Sequence, residues 1–541
     1  MMKKYFYFLL FSFCFLLIIT CTTQPQSGNL TGTVQLAGEA DHSGIIIGIY
    51  ELTTLDPDID EANTKWPHIG VIINQHTEFD HRFGTLVKTG ETDASGYFEI
   101  NDIPTGNYNV VAIKDGFGFK YIYEISISDG DNSLSNLMKR SPLNDCFEET
   151  DRNSEMNSEE CKLKNESLSS PHYSLSIIHS TLDSKDQTAK IDLTLYPETV
   201  INADITTATT FESHHHYIIG QDIIIDDELT IQPGAVIRLN EGVKLTISGD
   251  LTAVGNEYDF IWFTANDSLS FLPFTFNLLS SPLKEDIALY NRVELTGSLN
   301  KQVSFCKFDH AGTGLLNHVN GFEISDCIFK DSQCGFKAED VDSAFCSNLL
   351  CEKIYNESEG GIYFSHVTEG CIEKNVINDY GNGIKIYNHS NPELKNNYVS
   401  NCNNGVDISY GSSPDVHNNE IYECDKGVYT HAGSYPEIYR NEIQGDYGFV
   451  AYQCNAPNTI RVTYNNLSCN KYAIQLIKYG YNTTNDINGE NNYFYTINED
   501  EIQELIYDKN DVEPSQQQYY GIVDYFPFLT DEYPYAGIQG E

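Results

Sequence analysis

Three side chains with complementary chemistry recur at related places in the C-terminal half of the chain: Lys385, Asp407 and His431. An ammonium, a carboxylate and an imidazole held together can polarise a bond, remove a proton and return it, as elimination or hydrolysis requires. Four tyrosines, Tyr363, Tyr387, Tyr429 and Tyr452, recur around them. Aromatic faces with polar groups between them suit sugar-ring stacking and hydroxyl bonding. Tyrosine is also a favourable exposed strand residue, so the same pattern fits a purely structural surface. The choice depends on the elements that place these residues.

Those elements show themselves by repetition. Asn375, Asn397, Asn419 and Asn441 are 22 apart, as are Gly383, Gly405 and Gly427, Pro392, Pro414 and Pro436, and Ser390, Ser412 and Ser434. Each unit holds short alternating runs broken by Gly, Pro and Asn, such as Gly383-Ile384-Lys385-Ile386-Tyr387, which are too short for helices. Three short strands per unit make one coil, and coils stack as parallel strands about 4.8 Å apart. The Asn series then forms a ladder of side-chain amides, each bonded to its copy in the next coil. This pattern predicts an all-β chain dominated by a right-handed parallel β-helix of about a dozen coils.

Counting from the repeat glycine, the next residue faces inward and the one after it outward. Ile362, Ile384, Val406, Val428 and Phe449 are the expected core stack. One outward column runs Lys337, Tyr363, Lys385, Asp407, Tyr429, Val450, and a second runs Glu339, Ser365, Tyr387, Ser409, His431, Tyr452. The four tyrosines are therefore expected as one exposed strip, with Lys385, Asp407 and His431 between them.

The composition narrows the function classes. The 78 acidic against 32 basic residues give a net charge of −46, which repels phosphate backbones and excludes nucleic acid as a partner. Cysteine spacing offers no zinc site, and a metal centre is not expected. Cys402 over Cys424, and Cys306 over Cys327, are coil neighbours that fit either stacked thiols or a disulfide; Cys146 and Cys161 bracket an acidic loop that a bridge can close. His214, His215 and His216 alternate faces on a strand and read as an exposed run rather than converging ligands. Asp56, Asp58 and Asp60 alternate as calcium ligands do, but Glu61 and Pro67 occupy positions where such a loop needs Gly and Glu. A solvated acidic loop is the ordinary reading of this stretch and no cofactor is expected, calcium being the one alternative the spacing allows.

The chain opens with Lys3 and Lys4 before a 15-residue apolar stretch, Tyr5 to Ile19, short for a membrane span and suited to a signal peptide. Ile18-Ile19-Thr20-Cys21 resembles a bacterial lipoprotein signal, which implies residues 1–20 as the leader and Cys21 as the lipidated residue; an ordinary signal peptide or an uncleaved anchor is the alternative. Gly32-x-Val34, Ser43-Gly44-Ile45, Asp93-x-x-Gly96-x-Phe98 and Pro104-x-Gly106-x-Tyr108 resemble the carboxypeptidase regulatory-like, transthyretin-type β-sandwich over residues 28–128. That resemblance implies a non-catalytic spacer, here with an insertion from Asp56 to Thr89. Residues 129–204 read as an acidic linker and a bridging strand.

Leu229-Thr230-Ile231-x-Pro233-Gly234 and Leu245-x-Ile247-x-Gly249-x-Leu251 resemble the first coils of pectate-lyase-like β-helix proteins. Asn491-Asn492-Tyr493 and the segment after it resemble their closing cap, giving a β-helix over 205–490 and a cap and tail over 491–541. Such helices often carry lyases and hydrolases. The polygalacturonase set of Asn-Thr-Asp, Asp-Asp, His-Gly and Arg-x-Lys is absent from this sequence. The expectation is an exported, membrane-anchored envelope protein that binds or displays, with a glycan or an envelope protein as partner. A polysaccharide lyase or glycoside hydrolase using Asp407, Lys385 and His431 is the alternative, and a structural or protein-binding rod the second.

Overall fold

The computed structural model describes residues 27–128, 130–133, 193–266, 289–353, 359–454, 460–477 and 486–540. Cys21, Cys146 and Cys161 lie outside these residues. The chain divides into two compact units: 1–52, 84–114 and 119–195 in the first, 53–83, 115–118 and 196–541 in the second.

The first unit is the expected β-sandwich. Ser27–Thr33 pairs antiparallel with Tyr97–Pro104 and parallel with Gly130–Ser133. The second sheet runs Leu86–Glu91, Ile46–Glu51, Gly106–Lys114, Gly118–Ile127. Alternation buries Leu30, Ile47, Ile49, Phe98, Ile100 and Val110. The turn between the strands is fixed by Asp93, whose Oδ1 accepts from the backbone N–H of Ser95 at 2.8 Å and of Tyr97 at 3.1 Å. Thr194–Leu195 pairs with Gln35–Leu36, so the bridging strand belongs partly here before the chain enters the helix at Thr199–Ile201.

The second unit is a parallel β-helix of about 11 turns. The described coils pass through three sheets, and in some a single strand, such as Glu420–His431, runs through two of them. Sheet A includes Val376–Asn378 and Tyr398–Ser400, sheet B Asn382–Tyr387 and Asn404–Ile408, and sheet C Glu393–Lys395 and Asp415–His417. Strands pair in register 22 residues apart, as Ile384 with Val406 and Leu394 with Val416. Ile362, Ile384, Val406, Val428 and Phe449 stack in the core as the parity argument requires. Phe263, Phe308 and Phe329 form a second inward stack, with ring centroids 4.8 and 5.1 Å apart.

The asparagine ladder occupies the turn between sheets C and A. Asn397 Nδ2 donates to Asn419 Oδ1 at 2.8 Å, and Asn419 Nδ2 to Asn441 Oδ1 at 2.9 Å. It runs further than the 22-residue phase reveals, through Asn465 to Asn492, where coils lengthen to separations of 24 and 27. In earlier coils thiols stand in the same column: the backbone N–H of Cys306 reaches Cys327 Sγ at 3.4 Å, where later coils use an amide oxygen. All ten described cysteines are free thiols. The glycine period has its own cause, close approach between coils: a Cβ on Gly405 would lie 2.7 Å from the Gly427 carbonyl oxygen.

The insertion is not a solvated loop. Its acidic triplet opens a helix: Asp56 caps α1 (Pro57–Lys65), accepting from the N–H groups of Asp58 and Ile59, with Pro57 in the first turn. Asp58 and Asp60 follow in the first turn, where the helix dipole favours acidic side chains, so the triplet marks a helix start. Residues 53–83 lie along the outer face of sheet A. Ile59, Ile69 and Ile73 pack on Ile328, Leu350 and Val376, joined by Ile538 of the C-terminal tail. Lys65 Nζ and Trp66 Nε1 both reach Glu420 Oε2, at 2.7 and 3.1 Å. The tail is held in turn by Asn418 Nδ2 on the Tyr535 carbonyl at 2.8 Å and Asn466 Oδ1 on the Tyr533 N–H at 2.8 Å.

Beyond α2 (Gln75–Glu78) the insertion docks through buried charges. Lys330 bonds Glu78 and, at 2.8 Å, Glu352. Lys307 Nζ donates to the Thr77 carbonyl at 2.8 Å. Arg82 holds Asp80 at 2.6 Å, donates to Thr264 Oγ1 at 3.0 Å and lies 3.6 Å from Asp309, which also accepts from Trp262 Nε1 at 2.7 Å. Burial raises Asp80 and Asp309, but Arg82 outweighs it at Asp80, and His310 with Arg82 at Asp309, so both stay ionised, Asp309 with a pKa of about 2.

Two imidazoles in this seam make its stability depend on pH. Burial lowers His81 to about 4, Arg82 and Arg238 adding to it against Asp80, and lowers His76 to about 4. The unfolded chain takes up these protons near pH 6.5 and the folded chain only near 4, so stability is lost as pH falls through that window, about 3 kcal/mol per imidazole. Urea midpoints of the full chain are expected to drop steadily from pH 7 to 4.5, and less steeply for His81→Gln. A flat profile contradicts the buried neutral imidazoles.

Candidate functional site

Sheet B carries the residues singled out by parity, and the register aligns the first column throughout and the second on either side of Ser409. Tyr363 pairs with Lys385, Lys385 with Asp407, and Asp407 with Tyr429; Ser365 pairs with Tyr387, and His431 with Tyr452. The strands are therefore aimed as expected, and the rings meet. Tyr363 and Tyr387 lie 6.2 Å apart edge-on, Tyr429 stacks on His431 at 4.9 Å, and Tyr429 and Tyr452 are 6.4 Å apart.

Exposure departs from the expectation along both columns, where Asp407, Ser365 and Ser409 are themselves buried. Tyr363 is 8% exposed rather than open, because Lys337 and Lys385 from the coils on either side lie over its ring at 4.8 and 4.7 Å. Burial then pushes its phenol up, with Glu359 adding to the effect. Tyr387, Tyr429 and Tyr452 are half-buried, and burial with the nearby Asp407 pushes Tyr429 up to about 12. Val450 ends its column fully buried.

The polar trio does not gather as one cluster. His431 Nε2 meets Asp407 Oδ1 at 3.0 Å, while Lys385 turns its ammonium over Tyr363 in the preceding coil. In both columns the coils next to Asp407 place Lys385, Tyr387, Tyr429 and His431, so no carboxylate faces it there. The nearest acid of the second column, Glu339, is three coils away, about 14 Å at ~4.8 Å per coil. A hydrolase needs its two carboxyl groups within about 9.5 Å.

Tyr410, which the strand-parity argument omits because it lies in the turn after the strand, joins the columns. Its ring is 4.7 Å from Tyr387 and 6.3 Å from His431. The result is a continuous run, Tyr363–Tyr387–Tyr410–His431–Tyr429–Tyr452, over five consecutive coils. A second row continues on the same sheet through Tyr447, Tyr472 and Tyr507, at 6.2 and 5.3 Å. Lys426 lies over Tyr429 at 5.3 Å and Lys471 over Tyr447 at 5.0 Å. The alternation does not predict this row: Tyr447 and Tyr472 stand just before the repeat position, on the parity of the inward Phe449 and Ile474, yet both are half-buried rather than enclosed.

The other faces differ. Sheet A is covered by residues 53–83. Sheet C sets Glu393, Asp415 and Glu437 in register, with Glu393 bonded to Lys395 at 2.6 Å and His417 at 3.0 Å. The three histidines at 214–216 diverge: His216 is buried, correcting its expected exposure, and His215 stacks on Tyr196 at 4.1 Å. Among the described residues no group of three His, Cys, Asp or Glu side chains is arranged to hold a metal ion.

Residues 351–494 match the family described as right handed beta helix region. The matched stretch contains both outward columns from Tyr363 onward, the hand of the coil is therefore right, and the repeat is that of a β-helix. No curated protein and no solved structure matches the chain.

Proposed function

We propose that this chain is an exported, lipid-anchored envelope protein whose β-helix binds an extended glycan on the outer face of sheet B without cleaving it. The interlocked run of rings from Tyr363 to Tyr452 carries this reading. Rings held by their neighbours lose little entropy on binding, and the four steps of ~4.8 Å between the five coils give a platform about 19 Å long. Lys337, Lys385, Lys426 and the Asp407–His431 pair supply donors and acceptors between the rings. In this reading Cys21 carries the lipid, and the sandwich is a carboxypeptidase regulatory-like spacer rather than a site of chemistry.

A lyase is the second reading, favoured by one observation: Asp407 is placed to orient His431 as a general base. Both readings are tested by affinity electrophoresis of residues 22–541 against a β-1,4-glucan, an α-glucan, a polyuronate and a sulfated galactan, with reducing-sugar and unsaturated-uronate assays alongside. At least one polymer is expected to retard the protein. Tyr387→Ala with Tyr429→Ala should weaken retardation about tenfold or more, as the loss of two stacking platforms implies, and no product should form. Product that disappears with His431→Ala replaces binding by the lyase reading. Absence of retardation by all four polymers removes the glycan ligand.

A further inference from the structure

We propose that Tyr410 is the anchor ring of this face, the platform on which a sugar ring stacks first. The inference rests on the glycan reading and deepens it. Tyr410 is 52% exposed, the most open ring of the run, where Tyr363 is 8% exposed. It also sits at φ 56°, in the left-handed region where a bulky side chain is strained and asparagine or glycine is at ease. The fold gains no core packing from this ring, because it stands outside the strand. What the backbone conformation achieves is placement: the ring stands between Tyr387 at 4.7 Å and His431 at 6.3 Å, beside the Asp407–His431 pair. The backbone is tied into the stack, its carbonyl accepting from the His389 N–H at 3.1 Å, so the ring is presented from a fixed point. The left-handed turn itself belongs to the coil, since His366, Asn388, Ala432 and Gln453 adopt it at the same place with φ between 52 and 57°; what is particular here is that a tyrosine fills it and offers an exposed ring beside polar partners, where the preceding coil has asparagine.

Tyr410→Asn separates the two effects, since asparagine takes the same backbone conformation without strain. In the full chain its thermal midpoint should equal or exceed that of the wild type. Its retardation by whichever polymer of the four-member panel retards the wild type should fall about tenfold. Tyr464→Asn removes another left-handed tyrosine, at φ 58°, from a turn outside sheet B, and should leave retardation unchanged. Unchanged retardation of Tyr410→Asn overturns the proposal while the glycan reading stands. A lowered midpoint marks Tyr410 as a packing residue and also overturns it. Equal loss in Tyr464→Asn shows a general effect of surface tyrosines and overturns it as well. Failure of all four polymers to retard the wild type removes the glycan reading and this proposal together.

Discussion

Arg82→Ala is expected to destabilise the second unit by about 3–5 kcal/mol, the range for breaking a buried ion pair by removing one partner. Arg82 donates to both oxygens of Asp80, to Thr264 Oγ1 and to the Ala265 carbonyl, and lies 3.6 Å from Asp309. Without it Asp80 loses the partner that outweighs its burial and must either hold an uncompensated charge or take up a proton, and the end of the insertion loses its hold on the coils. Urea denaturation should show the loss, and limited proteolysis should cut within residues 53–83 first. Arg82→Lys keeps the charge but not the fork that grips Asp80 and Thr264 together, so it should fall between the two. A change below about 0.5 kcal/mol, the size of an ordinary surface substitution, contradicts the docked seam.

Asn419→Ala is the second large effect. Asn419 Oδ1 accepts from the N–H of Asn397 at 3.0 Å and from its side-chain amide at 2.8 Å. Its own amide donates to the carbonyls of Leu394 and His417, at 3.0 and 2.9 Å, and to Asn441. Alanine leaves several of these groups buried without partners, at ~1–3 kcal/mol each, for a total of about 3–5 kcal/mol. Coils contact chiefly their neighbours, so the damage should be local. Hydrogen exchange should accelerate in residues 393–445 and stay near wild type in the first coils. Uniform acceleration along the helix, or none, contradicts the ladder.

The parts of this fold legible in the sequence are those fixed by contacts between adjacent coils. Gly405 recurs because the next backbone passes too close for a Cβ, and Asn419 because each amide needs its copy one coil on; both leave a mark every 22 residues. The mark fades where the same column is filled otherwise, by Cys306, Cys327 and Leu349, or where coils lengthen before Asn465 and Asn492. The insertion left no such mark. Glu78 and Lys330 are 252 residues apart, and no local period links them. Asp56, Asp58 and Asp60 suggest a calcium loop by alternation, whereas Asp56 followed by Pro57 is the signature of a helix start.

The candidate face was legible in direction and not in cover. Parity placed Tyr363, Lys385, Asp407 and Tyr429 in one column, but it says nothing of long side chains from neighbouring coils. Lys337 and Lys385 close over Tyr363 for that reason, and Tyr410, in a turn, escaped the count.

Hydrogen exchange of residues 22–541 with and without a polymer that retards them tests the central claim most directly. Protection is expected across sheet B, in residues 360–365, 382–387, 404–410, 426–431 and 447–452, with sheet C unchanged at 371–373, 393–395, 415–417 and 437–439. Protection confined to sheet C or to residues 28–128, with sheet B exchanging as in the free protein, contradicts the account.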